Sequence, residues 1–203
     1  MPEGTFDDQG RPEVSFRRGR KAFWVSGMLL AVIIIGVLAA VMPDNGDAGS
    51  AVRNDTRIVN KVIEDSVTAA GALSVYDTVD EDDSALLLQE VSELLQEAAD
   101  AAEVRKDTYS RLGVKLAGGA EVLGQWSFTV IELRECVQSS CGEDEQQRLL
   151  RAGQDQAQLS GKVVRSVLRF SDYTEADVEA FFETAAEKVS AGDYRLPGKR
   201  LPS

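Results

Sequence analysis

A chain of 203 residues with 34 acidic and 22 basic side chains, a formal net charge of −12, has room for one modest domain beside a short appendage. It contains no histidine, which removes the commonest general base and transition-metal ligand and excludes Ser-His-Asp and Cys-His catalysis. No Lys/Arg-rich helix with interleaved aromatic residues occurs, so nucleic acid is not an expected partner.

Residues 1–21 mix Gly, Pro, Asp and Arg with few apolar side chains and are expected to form a disordered cytoplasmic tail. Ala22 to Met42 then follows as 21 residues without a charge, AFWVSGMLLAVIIIGVLAAVM. As a helix this stretch measures about 32 Å, against roughly 30 Å of bilayer hydrocarbon. It is read as a transmembrane helix. Arg17, Arg18, Arg20 and Lys21 stand just before it, and Asp44 and Asp47 just after. Basic residues mark the cytoplasmic flank, so the expected topology is a single pass with the N-terminus inside and the remainder extracytoplasmic, in the cell membrane. A cleaved signal peptide is the competing reading. Its apolar core is typically about 7–15 residues, shorter than this run, which favours a retained signal-anchor. The small pairs Gly27/Ala31 and Gly36/Ala40 have a spacing that allows two membrane helices to approach, and so a homodimer.

Residues 43–51 form a linker that starts PDNGDAGS. Beyond it the pattern is helical throughout. Val59, Val62, Ile63, Val67, Ala70 and Leu73 repeat at three- and four-residue steps, and Leu87, Leu88, Val91, Leu94, Leu95, Ala98 and Ala102 continue as a second stripe out to Tyr109 and Leu112. Asp83 or Ser84 is the expected start of that second helix and Gly113 its close. Leu116, Leu123, Trp126, Val130, Leu133 and Val137 make a third stripe, with Gly118 and Gly119 leaving its start open. A fourth runs from Glu143 to about Phe170. Thr174-Glu175-Ala176-Asp177 has the form of a capping box opening a short fifth helix that ends at Gly192. The expected fold is all-α: an N-terminal transmembrane helix, then an extracytoplasmic antiparallel bundle of four long helices with coiled-coil-like packing and a short fifth helix, over residues 52–192, and a flexible tail, 193–203.

Few residues offer chemistry. Cys136 and Cys141 are the only cysteines. Outside the cytoplasm they are expected to pair as a disulfide across a helix turn, and without histidine they cannot complete a four-ligand zinc site. Asp77, Asp80, Glu81, Asp82 and Asp83 could suggest calcium, yet they lack the EF-hand order and suit a solvated turn before a helix N-terminus. Trp126 and Phe128 are candidates for an inter-helical ligand pocket, with core packing of Trp126 as the simpler alternative. Phe181 and Phe182 diverge by about 100° on one helix, so one can face a partner while the other packs inward. No metal, cofactor or catalytic residue is expected. The sequence therefore points to a non-catalytic interaction or scaffold module of the cell envelope with a protein partner. The alternatives are a ligand-sensing bundle that acts through a partner and, less favoured, a carboxylate-based hydrolase.

Overall fold

The computed structural model describes residues 50–196. The apolar segment Ala22 to Met42 lies outside the described residues, as do the N-terminal tail, residues 43–49 of the linker and residues 197–203. Among the described residues the structure is all-helical, with no strand: α1 (Ser50–Ser74), α2 (Glu81–Val104), α3 (Arg111–Gln138), α4 (Glu143–Val167) and α5 (Glu175–Ser190). Single 3-10 turns follow α1 (Tyr76–Thr78) and α4 (Leu168–Phe170). None of these helices is long and apolar enough to cross a membrane.

The contacts between helices fix the topology. Lys61 meets Glu97, and Asp55 meets Arg105, so α2 runs antiparallel to α1. The Ser127 hydroxyl donates to the Ser92 carbonyl at 3.2 Å, reversing direction again at α3. Gly119 packs on Val163 of α4, and Gln146 of α4 donates to the buried Tyr76 hydroxyl that follows α1. These four helices form an up-down-up-down helical bundle, the arrangement that short connections favour. Its centre is filled by Val59, Val62 and Ile63 of α1, Leu87, Leu88 and Leu95 of α2, and Leu116, Leu123 and Trp126 of α3. α5 lies alongside α1 in the same direction, which leaves residues 65–69 of α1 buried on every side.

Three helix boundaries depart from the expectation. The second helix starts at Glu81, not at Asp83 or Ser84. Asp80 takes the N-cap backbone conformation, and Ser84 instead turns its hydroxyl back to the Asp80 carbonyl at 3.1 Å. The same helix stops at Val104, well before Gly113. Asp107 accepts from the backbone N–H groups of Tyr109 and Ser110 and is paired with Arg105, which holds a turn in place of a continuing helix. α3 then begins at Arg111, because the Ser110 side chain caps it by accepting from Gly113 N–H at 2.9 Å. Gly113 thus lies inside the first turn of α3, where a Cβ would stand 2.5 Å from the Asp107 carbonyl. Gly118, Gly119 and Gly124 are all accommodated within α3, and at Gly119 the missing side chain admits Val163.

The α3–α4 turn is a Schellman motif. Cys141 N–H donates to the Cys136 carbonyl at 3.0 Å and Ser140 N–H to the Val137 carbonyl at 3.1 Å. Ser140 occupies the left-handed position, φ 52°, more often held by glycine. Cys136 and Cys141 lie at disulfide distance, Cα to Cα 5.0 Å, and this bond occupies the place of the apolar contact that usually closes the motif. At α5 the capping box is complete: Thr174 Oγ1 accepts from Asp177 N–H at 3.3 Å, and the Asp177 carboxylate accepts from Thr174 N–H at 2.7 Å.

Candidate functional site

A groove opens between α4 and α5, floored by α1. It encloses about 460 Å³, within the range of roughly 300–1,000 Å³ usual for ligand sites. Val67 and Ala70 form the floor, Val164 and Leu168 one wall, and Val178 and Phe182 the other. Its position follows from two local features. Ala69, Ala70, Gly71 and Ala72 give α1 a small-residue surface, and α5 closes on it so tightly that a Cβ at Gly71 would lie 2.3 Å from the Phe182 carbonyl oxygen. α5 packs on α1 and not closely on α4, so the space between α4 and the N-terminal half of α5 stays open. There Tyr173, preceding α5, is bonded to Glu64 of α1, and Asp172 N–H donates to the Asn60 side chain at 3.3 Å.

The rim is charged with opposite signs. Arg165 stands on the α4 wall, and Glu175 and Glu179 on the α5 wall. Ser66 and Ser160 also line the groove, but their hydroxyls donate to the Val62 and Ala157 carbonyls of their own helices. The surface available to an occupant is therefore mainly apolar, with one cation and two carboxylates at its edge.

The expected site residues fall in different places. Phe182 lines the groove and keeps 38% of its surface exposed. Phe181 turns toward the core and meets Tyr173 edge-on, with ring centroids 5.2 Å apart. Trp126 and Phe128 are not brought together: Trp126 is fully buried and its indole N–H has no partner, while Phe128 is 61% exposed. Neither lines the groove, which lies elsewhere. Asp77 to Asp83 surround the α1–α2 connection. Among the described residues no group of three or more acidic or cysteine side chains is arranged to hold a metal ion.

One buried carboxylate stands apart from the groove. The Asp65 side chain is 2% exposed and is bonded to Lys61 at 2.7 Å, which also reaches Glu97 of α2 at 2.7 Å. Burial pushes the Asp65 carboxyl up to about 6, and Lys61 only partly offsets this. Burial also works against the Lys61 charge, yet its bonds to Asp65 and Glu97 raise its pKa on balance. This trio joins α1 to α2.

Gly71, Val67, Arg165, Glu175 and Glu179 were not marked as site residues by the sequence. The run of small residues at 69–72 was the available signal, since it permits a close helix approach. The comparisons add no relative: no protein-family model, no curated protein and no solved structure matches this chain.

Proposed function

We propose that this chain is a membrane-anchored, non-catalytic interaction module of the cell envelope that holds a protein partner in the groove between α1, α4 and α5. The observation that carries the reading is the groove itself, an apolar floor with the half-exposed Phe182 on its wall. Aromatic anchors beside partly desolvated apolar surface are what protein interfaces use for affinity. The anchor is Ala22 to Met42 in this reading, and the basic residues before it set the bundle outside the membrane. Histidine-free composition supports a binding role over acid–base chemistry.

The groove's volume supports a second reading, an extracytoplasmic sensor of a small amphipathic ligand that signals through a partner. A carboxylate-based hydrolase has less support. It calls for a raised-pKa carboxylate in a cleft, whereas Asp65 is held at the α1–α2 contact by Lys61 and does not line the groove.

Two measurements test the proposal. Protease added to spheroplasts should digest the bundle, and protection of a domain that is digestible after lysis defeats the orientation. Crosslinking in intact membranes followed by affinity recovery should retain a discrete protein with the native chain and lose it with Phe182→Ser. A partner equally retained by both chains defeats the groove assignment. A small molecule recovered with the native chain, and not with Phe182→Ser, moves the sensing reading ahead.

A further inference from the structure

The two edges of the groove carry opposite charge over two helical turns. On α4, Lys162, Arg165 and Arg169 follow at steps of three and four residues, and on α5 Glu175, Glu179 and Glu183 follow at steps of four. Such spacing puts each trio on one edge of its helix. Arg165, Glu175 and Glu179 line the groove, and all six residues are exposed. Arg169 also lies over the Phe170 ring, 4.5 Å from its centroid. Within these stretches neither edge carries a charge of the other sign. The next charges along the helices are Asp155 and Arg151 on α4 and Glu187 and Lys188 on α5, and Asp172 sits in the connection. Among the described residues no ion pair joins one edge to the other.

The two trios also match in height. α4 and α5 run in opposite directions from the connection at Asp172. Counted from it, Arg169 and Glu175 are each three residues away, Arg165 and Glu179 each seven, and Lys162 and Glu183 ten and eleven. At about 1.5 Å per residue, each basic side chain has an acidic one at nearly its own level. A two-fold axis parallel to the helices preserves height and exchanges the edges, so it sets α4 of one copy on α5 of the other. Both copies then begin α1 at the same end of the pair. A two-fold axis across the helices would instead set α4 on α4, with cations opposed. A foreign partner would have to carry both edges in this register, whereas a second copy necessarily does. The chain's net charge of −12 opposes self-association, but that repulsion is screened beyond about 8 Å at physiological salt, and the local pattern decides.

We propose that the protein partner is a second copy of this chain, docked groove to groove about a two-fold axis parallel to α4 and α5. The inference rests on the reading of the groove as a protein-binding surface. Exposed ion pairs add little affinity, but they fix partner and direction. The affinity comes from covering Phe182 and the apolar floor on both copies at once, as an isologous interface does.

The test mixes unlabelled and isotope-labelled full chains, reconstituted into vesicles at low density. A carbodiimide then joins amines to carboxylates in contact, and mass spectrometry of the peptides assigns each link to one chain or two. Lys162 of one chain is expected to link to Glu183 of the other. Reversing the α4 edge by Arg165→Glu with Arg169→Glu, or the α5 edge by Glu175→Lys with Glu179→Lys, leaves this reporter pair intact. Each reversal should lower the link between chains several-fold with the circular dichroism unchanged, and mixing the two reversed chains should restore it. Links confined to single chains, a link between chains that neither reversal lowers, or no recovery on mixing overturns the proposal. In intact membranes, a photoreactive side chain at position 182 that captures a different protein and no second copy overturns it too, while the groove reading stands. No adduct of either kind defeats both.

Discussion

Gly71 of α1 lies beneath the backbone of Phe182 on α5, so close that a Cβ at 71 would stand 2.3 Å from the Phe182 carbonyl oxygen and 3.0 Å from the Ala185 methyl. Backbone cannot withdraw as a flexible side chain can. This approach therefore sets the depth at which α5 sits, and with it the wall of the groove. Gly71→Ala is expected to cost about 1–3 kcal/mol through overpacking, despite the higher helix propensity of alanine. Proteolysis should then cut at the α4–α5 connection sooner than in the native chain. An unchanged urea midpoint and cleavage pattern would show that α5 is not seated as described.

Asp65 should make stability depend on pH in an unusual direction for a carboxylate. Its folded pKa, about 6, exceeds the value of 3.8 for an unperturbed group, so between these limits the native state binds more proton than the unfolded chain. Stability from this group is present below the lower value and declines as pH rises through the upper one, by up to about 3 kcal/mol. Asp65→Asn removes that slope. Urea denaturation of both chains across this window should show the asparagine variant gaining on the native chain as pH rises. A difference independent of pH would mean that Asp65 does not titrate there.

The core and the acidic turn should respond oppositely to truncation. Leu94→Ala is expected to cost roughly 2–5 kcal/mol and Trp126→Ala about 3–5 kcal/mol, since both side chains are buried. Asp80→Ala and Asp82→Ala, in an exposed acidic turn, should fall within about 0.5 kcal/mol. Millimolar calcium should leave the melting temperature nearly unmoved. A rise of many degrees that both aspartate changes abolish would make that turn a metal site.

The helices were legible because their apolar stripes are long and regular, and the α5 capping box because Thr174 and Asp177 carry its chemistry locally. The α2–α3 break was not legible. Leu112 lies in phase with the stripe of α2, and only the bonds of Asp107 to Arg105, Tyr109 and Ser110 reveal that the helix ends before it. The groove was hidden for a related reason. Its floor, Val67 and Ala70, reads as ordinary core stripe, and its opening depends on where α5 seats on α1, a relation between helices far apart in sequence. Phe182 was visible as one of two diverging rings, but nothing local says which of the two stays exposed.

The disulfide and the Schellman turn should be separable. Reduction opens a six-residue loop from Cys136 to Cys141, for which chain entropy gives about 2 kcal/mol. Ser140→Gly relieves the left-handed backbone at φ 52° and should stabilise the oxidised protein by up to about 1 kcal/mol. Mass spectrometry of protein from its native compartment should find the pair oxidised, and two freely alkylated thiols would contradict the bond.

Occupation of the groove by a protein partner can be read by site-specific photocrosslinking in intact membranes. A photoreactive side chain at Phe182, in the groove, is compared with one at Phe128, exposed on α3 and outside it. One discrete adduct is expected from position 182, weakened by Glu179→Arg, with none of that mass from 128. The same adduct from both positions, or none from 182 in chains shown to be folded and membrane-retained, would contradict it.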